Sequence, residues 1–201
     1  MPDLRIEREL DCMVAGVDEA GRGPLSGPVV AAAVILDMEN IPEGINDSKK
    51  LTKEKREELF DQIKKTSVVG LGVIWQDVID EINILQATKK AMSTAILNLK
   101  ELPEKIIVDG NQTFFASRIP VIPIVKGDSK SLSIAAASII AKVTRDRIMC
   151  ELHLKYPHYN WKKNAGYGTK THLEAINKYG ICEYHRKSFA PVRDQALVIR
   201  N

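Results

Sequence analysis

An apolar run, Val14-Ala-Gly-Val17, ends in two adjacent carboxylates, Asp18 and Glu19, and passes at once into Ala20-Gly21-Arg22-Gly23-Pro24. Side chains on a strand alternate faces, so Asp18 and Glu19 cannot share one without a break in the backbone. Gly21 and Gly23 can supply that break and admit a close approach by another backbone or a ligand. The segment is expected to be a buried strand whose carboxyl edge carries an acid pair beside a ligand-shaped loop. Alone, such a pair is more often a solvated strand end. The functional reading depends on further acids in similar settings.

Taken in order, the chain alternates strands and helices. Residues 2–10 are charged and read as a short arm or frayed helix. Met13–Val17 and Val29–Leu36 are apolar strands close enough to pair antiparallel. Lys53–Lys65 is a helix with an apolar side of Leu59, Phe60 and Ile63. Val68–Ile74 is a third strand, and Gly70 and Gly72 mark it as an edge or a place of close approach. Ile79–Leu99 is a long helix that Pro103 stops, and Ile106–Val108 is a short strand running into Asp109-Gly110. The helix before it favours a parallel position beside the first strand. Ile119–Val125, with its prolines, is a fifth strand suited to an edge, followed by Lys126-Gly-Asp128-Ser129. Ser131–Cys150 is a helix of small residues made for close packing, Tyr156–Thr169 is loop, His172–Tyr179 is a short helix, and a polar tail follows. This pattern is an α/β fold: a mixed five-stranded sheet of order 3-2-1-4-5 flanked by helices. Residues 1–201 form one domain, with a C-terminal helical segment from about 150 to 201 packed on it.

Composition narrows the function classes. The 201 residues carry 29 basic and 26 acidic side chains, a formal charge of +3, compatible with a polyanionic partner without requiring one. Cys12, Cys150 and Cys182 cluster nowhere and are odd in number, which argues against a disulfide framework and for a reducing compartment. Neither an apolar signal core nor a run of membrane-spanning length is present. A cytoplasmic protein is expected. No Ser or Cys pairs with a His, and His153, His158, His172 and His185 show no ligand spacing, so they read as structural or surface groups. His185, in His185-Arg-Lys-Ser-Phe189, is a modest exception.

Three strand ends carry acids: Asp18 with Glu19, Asp109, and Asp128. Open sheets place their sites outside the carboxyl ends of strands. With the first and fourth strands adjacent, Asp18 and Asp109 stand about 5 Å apart. Converging carboxylates repel and take up protons unless divalent cations intervene. Hard Mg²⁺ or Mn²⁺ prefers such oxygen ligands, and two ions about 4 Å apart can activate a water and stabilise the leaving oxygen of a phosphodiester. For Asp128, ahead of Ser131 and a helix, capping is an equal alternative. Arg22, Lys49, Lys50 and Lys126 lie in turns near these acids, although Lys50 and Lys53 read as solvated surface. Ser48, Ser129 and Ser131 are caps first and phosphate contacts second. Tyr167, between Gly166 and Gly168, is an exposed ring able to stack on a sugar or base.

Seven segments together resemble ribonuclease HII, the type 2 ribonuclease H. They are Gly16-Val-Asp-Glu-Ala-Gly-Arg-Gly-Pro24, Asp47-Ser-Lys-Lys-Leu51, Val108-Asp-Gly110, Lys126-Gly-Asp128, residues 134–146, Gly166-Tyr-Gly-Thr169 and His185-Arg-Lys-Ser-Phe189. The resemblance implies a ribonuclease H-like fold and cleavage of RNA in RNA–DNA hybrids. It also implies nicking 5′ of single ribonucleotides embedded in duplex DNA. It assigns metal binding by Mn²⁺ or Mg²⁺, two ions in catalysis, to Asp18, Glu19, Asp109 and Asp128. Gly21, Arg22 and Gly23 would contact the ribose 2′-hydroxyl, and Tyr167 would pack on the next sugar. Arg22 and Lys49 are candidate phosphate contacts. The Arg at position 22 and the lack of an extra N-terminal domain separate the chain from the type 3 relative. The tail Gln195–Asn201 has no sliding-clamp peptide, so a bacterial-type, monomeric enzyme is expected. A different nuclease on the same fold would explain the acids but neither Gly21–Gly23 nor Tyr167. A non-catalytic nucleic-acid-binding module would have no use for four acids that repel phosphate.

Overall fold

A computed structural model of the protein describes residues 1–111, 113 and 118–198, and the side chains of 195–198 lie outside that description. The strands are β1 (Val14–Ala20), β2 (Val29–Ile35), β3 (Val68–Ile74), β4 (Lys105–Asp109) and β5 (Val121–Ile124). They form one sheet of order β3-β2-β1-β4-β5. β1–β2 and β2–β3 pair antiparallel, while β4 joins β1 and β5 joins β4 in parallel. This is the mixed sheet expected from the sequence, with the ribonuclease H-like strand order.

The helices are α1 (Arg5–Leu10), α2 (Lys53–Thr66), α3 (Gln76–Leu97), α4 (Leu132–Lys155), α5 (Trp161–Asn164), α6 (Lys170–Tyr179) and α7 (Ala190–Val198). α3 covers one face, where Ala87, Ala91 and Ala95 pack on Val17, Ala31 and Val108. α4 and α2 cover the other, where Ala136, Ile139 and Leu59 pack on Ala32 and Val34. The contacts are backbone-close. A Cβ on Gly16 would lie on the main chain of Ser133 and Ile134, and one on Gly70 or Gly72 would lie on the carbonyls of Ala95 or Ala91. The glycines of β3 therefore answer to both ideas at once: the strand is an edge, and α3 presses directly on it.

Four local expectations change. The arm at residues 2–10 is a docked helix, because Glu7 accepts from Ser131 Oγ (2.6 Å), Ser133 Oγ (2.7 Å) and Ser133 N (3.0 Å) at the start of α4. α3 begins at Gln76 and breaks at Asn83 (φ 67°), whose side chain accepts from the N–H of Leu85 and Gln86 and restarts the helix. α4 runs beyond Cys150 to Lys155, and the loop after it contains α5. The polar tail includes α7. Its last three residues, and with them part of the Gln195–Asn201 segment, lie outside the described residues. Among the described residues the three cysteines are free, and no helix is long and apolar enough to cross a membrane.

Candidate active site

Strand alternation decides which acids meet. Val17 packs toward α3 and Gly16 toward α4, so Asp18 projects to the α4 side and Glu19 to the α3 side. On β4, Val108 packs toward α3 and Ile107 against Ile134 of α4, which puts Asp109 on the α4 side as well. The parallel register, Val17 opposite Val108, then sets Asp18 beside Asp109. The third acid arrives by a turn. Lys126 takes a left-handed conformation (φ 56°), and Gly127 N–H donates to the Asp109 carboxylate at 2.6 Å, folding Asp128 back over β4. Ser131 caps α4 by accepting from Ile134 N–H, which removes capping as the explanation of Asp128. Carboxylate oxygens of Asp18, Asp109 and Asp128 all lie within 4.8 Å of one another. Glu19 is outside that triad, on the other face, where Arg22 Nη1 donates to it at 3.3 Å.

The electrostatics fit a cation site. Burial, then the charges of Glu19 and Asp109, hold the Asp18 carboxyl well above the usual carboxylate range. Burial likewise raises Asp109, against the hydrogen bond from Gly127. It raises Glu19 too, against the neighbouring Arg22. Lys49 Nζ lies 3.2 Å from Asp128, placed by a short turn in which Asp47 accepts from Lys49 N–H. That lysine is largely exposed and screens weakly. Three close oxygens with no nitrogen or sulfur donor among them suit a hard divalent ion.

A groove of about 260 Å³ joins Asp18, Glu19, Gly21–Gly23, Lys49, Asp109 and Tyr167. The Tyr167 ring is half exposed and stands across from Gly23, where a Cβ would meet it at 3.5 Å. A larger cavity, about 550 Å³, opens at the opposite end of the sheet beside Glu7, Val14 and Met38, and holds none of these groups. Chemistry, not volume, marks the site.

Two buried arginines hold the groove's wall, and sequence reasoning assigned neither a role. Arg186 donates to the carbonyls of Gly21 (2.6 Å), Arg22 and Gly27 (3.0 Å each). Arg145 donates to those of Ala165 (2.8 Å), Pro28 (2.9 Å) and Ser26 (3.1 Å). A Cβ on Gly21, which has φ 97°, would strike the Arg145 side chain. Burial pulls Arg145 down to about 10 and Arg186 to about 9, so both stay charged at neutral pH. The available signal was their place in segments 134–146 and 185–189, but an arginine's burial is not readable from a single sequence.

A ribonuclease H-like sheet with three carboxylates meeting at its central strands defines a class, the metal-dependent nucleases of that fold. The family model for ribonuclease HII matches residues 15–192. A ribonuclease HII of Rickettsia akari is 63% identical over 177 residues, covering 88% of this chain and 91% of that one. The Rickettsia typhi ribonuclease HII is 60% identical with the same coverage. Among solved structures, the ribonuclease H2 of Pyrococcus horikoshii is 32% identical with a TM-score of 0.77, covering 94% of this chain and 99% of that one. Bst-RNase HIII in complex with Mn²⁺, 22% identical over 93% of this chain and 70% of that one (TM-score 0.71), shares the fold. The chain belongs to the ribonuclease HII family and is a metal-dependent ribonuclease, a phosphodiester hydrolase.

Proposed function

We propose that the protein is an endoribonuclease that cleaves the RNA strand of RNA–DNA hybrids and nicks 5′ of single ribonucleotides in duplex DNA, leaving 5′-phosphate and 3′-hydroxyl ends. The observation that carries this is the approach of Asp18, Asp109 and Asp128 to within 4.8 Å beside a groove walled by Gly21–Gly23 and Tyr167. Asp18, Asp109 and Asp128 bind the metal, Mn²⁺ or Mg²⁺, and Glu19 completes the set from the opposite face. Two such ions, when bound, supply Lewis acidity for water activation and leaving-group stabilisation. The main chain of Gly21–Gly23 reads the 2′-hydroxyl, the group that tells RNA from DNA. Tyr167 packs on the sugar 3′ of the cut and favours a deoxyribose there. Arg22 and Lys49 contact backbone phosphates. Residues 1–201 act as one catalytic domain, monomeric and cytoplasmic.

The test is a labelled DNA duplex with one ribonucleotide, incubated with Mg²⁺, Mn²⁺ or EDTA. A metal-dependent nick 5′ of the ribonucleotide is expected. Cleavage of long hybrid without that nick would remove the roles given to Gly21–Gly23 and Tyr167. Nicking of all-DNA duplex at a similar rate would point to another nuclease on this fold, and cleavage of nothing to a binding protein.

A further inference from the structure

The geometry points to His172 and His185 as positioning residues: a proton-ordered pair that fixes the main chain of Tyr167 against Gly21–Gly23 and so sets selectivity for a single embedded ribonucleotide. This rests on the reading of Tyr167 given above.

Both histidines are fully buried, yet neither is used by the carboxylate chemistry. All four ring nitrogens have partners, and the fixed donors determine every proton. Cys182 N–H donates to His185 Nδ1 at 3.0 Å, so neutral His185 carries its proton on Nε2. That proton points at His172 Nε2, 3.2 Å away. Trp161 Nε1–H donates to the same nitrogen at 3.1 Å. His172 must then carry its proton on Nδ1, and it donates to the Tyr167 carbonyl at 2.9 Å. A proton added to either ring would set donor against donor. Burial agrees, pulling His185 down to about 3 and lowering His172.

The same region joins Tyr167 to the glycine loop. Gly27 N–H donates to Tyr184 O and Arg186 N–H to Leu25 O, while Leu25 N–H donates to Gly166 O. Segment 184–186 thus grips segment 25–27 with its main chain and Tyr167 with the side chain of His185, acting through His172. A pair of merely well-packed core histidines would need no such ordered run ending on the carbonyl of the groove's aromatic residue. Loss of the last donor leaves Asp18, Asp109 and Asp128 untouched and loosens Tyr167.

The experiment compares kcat and KM on a single-ribonucleotide duplex and on continuous hybrid for wild type, His172→Phe, His172→Asn and Tyr167→Ala. His172→Phe keeps an aromatic ring in place and deletes the Nδ1 donor, together with the Nε2 acceptor of Trp161 and His185, a loss that His172→Asn shares. It is expected to lower the single-ribonucleotide-to-hybrid ratio of kcat/KM about tenfold, through KM, with hybrid cleavage within about threefold of wild type. Asn can present an N–H near the position of Nδ1, so His172→Asn should recover the ratio to within about threefold. If Tyr167→Ala lowers the ratio and His172→Phe does not, this inference fails alone. Equal losses in the Phe and Asn variants would reduce the pair to a structural role. An unchanged ratio in Tyr167→Ala would sink the Tyr167 reading, and this inference with it. Should His172→Phe fail to fold, the ¹⁵N shifts of the wild-type imidazoles decide. Protonation of His185 at Nε2 and His172 at Nδ1 supports the arrangement, and any other tautomer overturns it.

Discussion

Burial and the charges of Glu19 and Asp109 raise the Asp18 carboxyl above its ordinary value of 3.8, so in metal-free protein the folded state favours its neutral form. A group raised on folding contributes stability below its unfolded pKa and loses it as pH rises through the folded value. At neutral pH, Asp18 therefore works against the fold. Asparagine keeps the acceptor for Glu19 N–H, now 2.7 Å from Asp18 Oδ1, and removes the charge. Asp18→Asn is expected to melt higher than wild type in EDTA near pH 7, by about 2–4 °C for each kcal/mol regained. The two should converge near pH 4. The same variant should cleave at least roughly 100-fold more slowly, the scale of losing one well-placed electrostatic group. Calorimetry and a single-turnover assay check both, and a lower melting temperature near pH 7 would contradict the charge argument.

At the scale of elements, the contact that aims Asp18 is that between β1 and α4, and Gly16 is its tightest point. A Cβ there would lie on the main chain of Ser133 and Ile134, which cannot swing aside as a side chain can. Gly16→Ala is expected to destabilise by roughly 1–3 kcal/mol and to lower Tm by about 2–4 °C per kcal/mol; an unchanged Tm would mean that α4 can retreat at no cost. The elements themselves were largely legible. Apolar runs bounded by turn residues gave five strands, and acids at three strand ends marked the candidate metal site before any geometry was known. Less visible was what depends on tertiary burial. Asn83 restarts α3 only because its side chain reaches Leu85 and Gln86 N–H. Charged residues 2–10 look solvated until Glu7 is seen accepting from Ser131 and Ser133, more than 120 positions on. Arg145, Arg186 and the His172–His185 pair are polar in sequence and buried in the fold, a combination set by partners distant along the chain. Likewise the parting of Glu19 from the triad follows once β1 is seen to run unbroken to Ala20, with Gly21 beyond it.

For the whole molecule, the strain of the acid cluster and the requirement for metal are one linked equilibrium. Asp18, Glu19 and Asp109 are all shifted upward, so at the proposed metal site protons and metal ions would compete for the same oxygens. The cations already there, Arg22 and Lys49, are more than half exposed along their side chains and relieve little of the repulsion. At the proposed site a divalent ion would bind the folded state alone, because only the fold brings β1, β4 and the turn at Asp128 together. At a concentration of 100 Kd it should stabilise by about 2.7 kcal/mol, or about 5–11 °C in Tm. The sign of the pH effect follows from the upward shifts. Lowering pH through the raised values protonates these carboxylates, so the gain from Mn²⁺ is expected to shrink as the pH falls. Asp109→Asn removes one of the proposed carboxylate ligands and should abolish most of that gain at every pH. Melting curves of wild type and Asp109→Asn with and without Mn²⁺ measure both effects. Equal stabilisation of the two proteins would place the ion somewhere other than between β1 and β4, and a gain that grew on acidification would mean that the metal does not compete with these protons.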